Sequence, residues 1–275
     1  MVRVTLALIV DTFREAFARL LFWGLFGLST AMILFFLFLL KIDVVEGALA
    51  TISLFGTSAT KTFNVDRLVR QAYGGIAVFL YTWGMLLSVF ASSGLVPSLL
   101  EPGRIELLLS KPVPRWHLLM GRYLGNLLVV SLNIAYLVLG VWIIFGVKTG
   151  IWSARFLYAI PTTIFIFAVL LCVVVLVGVA FESSALATMV TAGLMVMSPV
   201  LAQKDTVEKL LSSEWSRLLW RWLYYVVPKI QDIGRSTMNL VRDNKGFDLA
   251  PFWSSAAFAA VMLAAGLYVF SKRDF

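Results

Sequence analysis

The side chains with most to offer in water gather in one run, EPGRIELLLSKPVPRWHLLMGRYLG, from Glu101 to Gly125. It is the most charged segment between long apolar stretches, and Pro102, Pro112 and Pro114 break it up. Lipid offers such a run nothing. The chemistry it can do is recognition: a Pro-bounded amphipathic segment that shows charge and a Leu108–Leu109 patch to a partner's groove. Bond-making chemistry is absent from the sequence. One histidine, His117, and one cysteine, Cys172, allow neither H-E-x-x-H nor C-x-x-C, which disfavours a zinc site. No lysine follows a glycine, so there is no P-loop to cradle phosphates. Paired carboxylates of the kind a membrane phosphotransferase needs are also missing. Met189, Met195 and Met197 share one apolar run and read as packing, with soft-metal handling the alternative.

Such a segment has to be held by something, and composition says by what. The chain has 275 residues, 60% hydrophobic and 14% charged, with mean hydropathy +0.91. A soluble domain carries about 25% charged residues, so the class is a polytopic membrane protein. The net charge of +8 suits anionic leaflets, and its scatter around apolar runs disfavours nucleic acid. Six runs reach the roughly 20 residues a crossing needs: 21–40, 74–96, 123–146, 156–180, 184–202 and 251–270. Backbone groups in lipid must be satisfied internally, so each is a helix and the fold is all-α, one membrane domain over 1–275. None has an ionisable residue at its centre; Glu182 lies in the turn FESSA. A proton-coupled carrier keeps such groups at depth, and their absence disfavours one.

Three further segments have characters of their own. Residues 1–20 place Asp11, Arg14, Glu15, Ala18 and Arg19 on one helical face and Leu6, Ile9, Phe13, Phe17 and Leu20 on the other. This suits an interfacial helix, or a charged leader to the first span. Residues 41–73 are polar, with one helix expected near NVDRLVRQAY. Residues 203–250 predict an amphipathic surface helix, rich in Trp and Tyr at headgroup level and broken by Pro228, then a turn back toward the membrane. Gly121 and Gly125, and Ala256, Ala260 and Ala264, form small-residue faces that serve packing within one subunit or a homodimer seam. Ser88, Ser92, Ser93, Asn133, Thr188, Thr191 and Ser198 either line a pathway or bond a neighbouring backbone. With both termini inside, Lys and Arg divide nine inside to fourteen outside at similar density, so charge does not fix orientation.

The opening run resembles the stretch E-x-x-x-G-T-x-E-x-L-L-S-x-P-V-S-R-x-x-x-L-x-G-K of permease subunits in ABC-2 type ATP-binding-cassette exporters. Gly103, Glu106, Leu108, Leu109, Ser110, Pro112, Val113, Arg115, Leu119 and Gly121 match. Glu101 stands two residues closer to Gly103 than the family's acid; Arg104, Pro114 and Arg122 replace its Thr, Ser and Lys. DTFREAFARLLF is similar to the family's amphipathic leader, and YVFSKRDF to its basic-acidic tail. The resemblance implies that 97–122 is a cytoplasmic coupling segment. Glu101, Gly103, Arg104, Glu106, Leu108, Leu109, Pro112 and Arg115 would then dock on a separate P-loop ATPase. It also implies two copies of each chain, ATP bound by the partner alone, a bacterial or archaeal cytoplasmic membrane with both termini cytoplasmic, and 203–250 outside. The subgroup it resembles loosely is the copper-enzyme maturation type. The alternatives from other classes are a non-transporting scaffold or assembly factor and an ion-coupled carrier.

Overall fold

The computed structural model describes residues 2–45, 49–54, 57–58, 63–94, 97–100, 103, 114–203, 207–208, 213–243 and 248–273. Six helical segments in it are long and apolar enough to cross a membrane: Leu20–Phe38, Val69–Leu99, Arg115–Thr149, Ala154–Phe181, Ser184–Leu201 and Ala250–Lys272. The leader is helix α1 (Val2–Ala18). Span one is α2 (Leu20–Leu34), ending in a π turn at Phe35–Leu39. Span two is α3 (Val65–Phe79), a π turn at Leu80–Gly84 and α4 (Met85–Ser93). Span three is α5 (Arg115–Thr149), and span four is α6 (Ala159–Phe181) after a 3₁₀ turn at Ala154–Tyr158. Span five is α7 (Ser184–Leu201). Then come α8 (Glu214–Val226), α9 (Ile230–Asp243) and span six, α10 (Ala250–Lys272).

The most apolar helix is the centre of the bundle. α6 packs against α10, α5, α7 and α4, and Ile166, Phe167, Leu170, Leu171, Val174 and Val177 fill the main core from it. A helix this apolar has no polar face to offer water, so it belongs inside. α5 has 35 residues, and at ~1.5 Å per residue it is about 52 Å long against a hydrocarbon core of about 30 Å. Several turns of it therefore stand outside the hydrocarbon. Contacts sort the loops to two ends. At one, Arg115 donates to the Arg273 carbonyl and Arg273 pairs with Glu182, joining the start of α5, the tail and the α6–α7 turn. At the other, Lys148 Nζ donates to the carbonyls of Phe36 and Leu37 at 2.8 and 2.6 Å, by the π turn of span one.

One element departs from the all-helical reading. Residues 40–64 carry a small antiparallel sheet: β1 (Leu40–Val45) pairs β2 (Leu49–Leu54), with Leu40 opposite Leu54 and Val45 opposite Leu49. β3 (Thr57–Ser58) and β4 (Phe63–Asn64) both pair β2. α3 follows at Val65, at the helix expected there. In the 203–250 segment, α8 stops at Val226 before Pro228 and shows Trp215, Trp222 and Tyr225 on its surface. Arg221 Nε donates to Glu208 Oε1 at 2.9 Å. α9 then turns back onto the bundle, burying Ile230, Ile233 and Val241 beside α3.

Candidate coupling site

A buried guanidinium organises the end of the bundle where α5 begins. Arg122 is eight residues into α5, and its side chain is 1% exposed. Its two terminal nitrogens divide between two acids of the leader: one donates to Glu15 Oε2 at 2.6 Å, the other to Asp11 Oδ2 at 2.9 Å. Arginine's planar fork suits this division, and a lysine's point charge does not. Glu15, 14% exposed, also accepts from Arg19 at 2.8 Å and from Ser98 Oγ at 2.7 Å, both on Oε1. Arg19 reaches on to the Gly94 carbonyl at 2.9 Å. Two acids and two bases balance, which is what lets charge stay where water is scarce.

The Glu15 carboxylate therefore gathers three separate pieces of chain. Arg19 is the extended residue that joins α1 to α2. Gly94 and Ser98 belong to the end of span two, before the run at 101–113, and Arg122 stands on α5 beyond that run. A second grip lies beside the first. Leu99 and Leu100, before the run at 101–113, and Leu118 and Leu119, after it, pack with Leu8, Val175, Val179 and Phe270. Both flanks of the run are thus tied to the leader, to span four and to span six.

The leader reaches this position because α5 has no side chains in its way. Leu8, Thr12 and Ala16 lie at i, i+4 and i+8 on α1 and are buried; opposite them at the same spacing stand Gly121, Gly125 and Val129. Equal steps on both helices mean that α1 runs parallel to the start of α5. The acids expected in water turn onto Arg122, while Leu6, Phe17 and Leu20 are left exposed. The Gly121–Gly125 face thus packs within the subunit, against the leader. The Ala256–Ala260–Ala264 face does not: Ala260 and Ala264 are exposed, and α10 instead buries Pro251, Ser255, Gly266 and Phe270.

Of the docking residues read from the sequence, Glu101, Arg104, Glu106, Leu108, Leu109 and Pro112 lie outside the described residues. Gly103 adopts φ +82, a left-handed turn that suits glycine. Arg115 opens α5 beside the tail. The hydroxyl set is buried and scattered through the bundle. Ser88 donates to the Gly84 carbonyl at 2.7 Å, Thr188 to Ser184 at 2.8 Å and Thr191 to Ala187 at 2.7 Å. Ser92 donates to Asn126 Oδ1 at 3.0 Å, Ser29 to Asn133 Oδ1 at 3.0 Å, and Ser198 Oγ accepts from the Gln231 amide at 2.9 Å. The sequence reading did not single out Asp11, Glu15, Arg19, Ser98 and Arg122 as one site. The available signal was two leader acids and an arginine where the motif has lysine.

Glu182 sets the α6–α7 turn. It has φ 52 at the end of α6, a left-handed conformation that glycine holds at less cost, and its carboxylate pairs with Arg273. Ser183 caps α7, its hydroxyl accepting from the Leu186 amide at 3.3 Å. A glycine at 182 relieves the backbone, by about 1 kcal/mol, and an exposed ion pair is worth about 0–1 kcal/mol, so the two nearly cancel. Glu182→Gly is expected to leave the unfolding temperature near wild type while trypsin cuts the tail at Lys272 and Arg273 faster. An unchanged cleavage rate would show that the pair does not hold the tail.

Six spans, a helical leader and a buried cluster of charges define a multi-pass membrane protein. Residues 8–275 match a family model described as ABC-2 family transporter protein, so the chain belongs to that family and is an ABC-2 transporter membrane component. Members of this permease family typically lack an ATPase domain of their own, and the family implies an ATPase partner. A search of curated proteins gives no match.

Proposed function

We propose that this chain is the membrane half of an ATP-driven exporter. Two copies form the translocation pathway, and two copies of a separate P-loop ATPase bind the ATP. Glu101, Gly103, Arg104, Glu106, Leu108, Leu109, Pro112 and Arg115 provide the docking surface. The termini and this surface face the cytoplasm of a bacterial or archaeal cell; the 203–250 segment faces outward.

The observation that carries the reading is the Glu15 carboxylate, held at once by Arg19, Ser98 and Arg122. A push on the segment between Ser98 and Arg122 reaches the leader and spans one, two and three through charge-assisted bonds, and spans four and six through the apolar cluster. Coupling needs contiguous rigid elements of this kind that can adopt two arrangements. No ionisable group stands at mid-span among the described residues, which favours hydrolysis over a proton gradient as the energy source.

The test is docking. Charge reversal of Glu106 and Arg115 together introduces repulsion where a single rim pair is worth only about 0–1 kcal/mol, so the double variant is expected to lose co-purification with the ATPase and to stop stimulating hydrolysis. Arg273→Ala is the control, because it releases Glu182 at the same internal corner without reversing charge. Unaltered binding and stimulation in the double variant would overturn the docking assignment.

Topology is tested separately. A cysteine at the exposed Ser213, in a Cys172→Ser background, should react with an impermeant thiol reagent added to intact cells. Labelling only after the membrane is opened would put α8 on the cytoplasmic side.

A further inference from the structure

Spans one to four meet around an internal cavity of about 20 Å³. Ser29 of α2, Gly84 and Ser88 of span two, Asn133 of α5 and Thr163 of α6 line it among apolar side chains. Asn133 is 6% exposed and Thr163 1%. Asn133 Oδ1 accepts from Ser29, but Asn133 Nδ2 has no hydrogen-bond partner. Thr163 Oγ1 has only the Tyr81 hydroxyl near it, and that hydroxyl makes its short bond to Thr162, at 2.9 Å. Reversing the Asn133 amide only exchanges which of its two atoms is left over.

A dry cavity would strand the Asn133 amide N–H, at roughly 1–3 kcal/mol. About 10–15 Å³ open to a water-sized sphere is enough for one water, provided two to four polar groups surround it. This cavity meets both conditions. Asn133 Nδ2 donates, the Thr163 hydroxyl donates or accepts, and the Ser29 and Ser88 oxygens have lone pairs left after their own donations. A metal cation fits poorly, because no carboxylate lines the space and an amide N–H points the wrong charge at it.

We propose that the cavity is a binding site for a single water molecule, which joins the first four spans by hydrogen bonds. It lies against the π turn Leu80–Gly84, in the span that leads into the coupling segment. A water joint re-forms its bonds after a small displacement, which a direct side-chain bond of fixed length does not allow.

The experiment is X-ray radiolytic footprinting of the full-length protein in detergent, in which hydroxyl radicals born from a bound water oxidise the side chain beside it. Met85 lines the cavity and is 1% exposed, while Trp215, on α8 outside the six spans, is 81% exposed and serves as the surface reference. Met85 should be oxidised in the wild type despite its burial. Asn133→Leu, which removes the main partner and fills the space, should slow that oxidation about tenfold, and Thr163→Val should slow it less. If Asn133→Leu does not fold, Thr163→Val carries the comparison. A wild type with Trp215 oxidised and Met85 untouched would overturn the proposal, as would equal Met85 oxidation in the wild type and the variants.

Discussion

Arg122→Met should destabilise the protein by roughly 3–5 kcal/mol, the range for removing one member of a buried ion pair, and should abolish stimulation of the partner ATPase. The stability loss comes from the carboxylates left behind. Asp11 is 52% exposed and rehydrates readily, but Glu15 is 14% exposed and keeps only Arg19 and Ser98. Glu15→Gln with Arg122→Met should recover much of the stability, because both buried charges leave together. It should not recover stimulation, since the charge-assisted bond between leader and α5 is gone. Arg122→Lys should fall between, one ammonium being unable to fork to both acids. Salt should hardly alter the wild-type value, because the guanidinium is 1% exposed and weakly screened. Thermal unfolding in detergent and ATPase assays in proteoliposomes read the two effects separately. Arg122→Met unfolding at the wild-type temperature would remove the buried cluster from the account of stability.

The six spans were legible because the bilayer leaves the chain little choice: about 20 apolar residues, closed on themselves as helices. The sheet was less so. β1 does alternate, with Leu40, Ile42 and Val44 between Lys41 and Asp43, but the run is six residues long and follows directly on a span. The leader shows what periodicity leaves open. Its spacing separates a charged face from an apolar one without saying which of them meets protein. What decides is Arg122, more than a hundred residues away, whose burial is affordable only with two acids beside it. Small-residue spacing has the same gap. Gly121–Gly125 and Ala260–Ala264 read alike, yet one seats the leader and the other faces outward.

That difference makes the second large prediction. A Cβ on Gly121 would stand 2.7 Å from Leu8 Cβ, and one on Gly125 2.7 Å from Thr12 Cβ. Real Cβ atoms do not come so close, and the atoms met are the roots of their side chains, so the leader helix itself must move. Gly140 is the contrast: a Cβ there would meet Ile33 Cδ1 at 2.7 Å, the free end of a flexible chain that can swing aside. Gly125→Ala should therefore cost about 1–3 kcal/mol as overpacking, less the roughly 1 kcal/mol that alanine returns within a helix, while Gly140→Ala should be neutral or stabilising. Gly125→Leu pushes α1 off α5 altogether. It should lengthen the Arg122–Glu15 contact and lower ATPase stimulation as Arg122→Met does, although no charge has changed. Thr12→Gly opens room for the new Cβ, so Gly125→Ala with Thr12→Gly should lose less than the two single costs added, even though glycine in α1 itself costs about 1 kcal/mol. If Gly125→Leu stimulates the ATPase as the wild type does, the leader's seat on α5 plays no part in the proposed coupling.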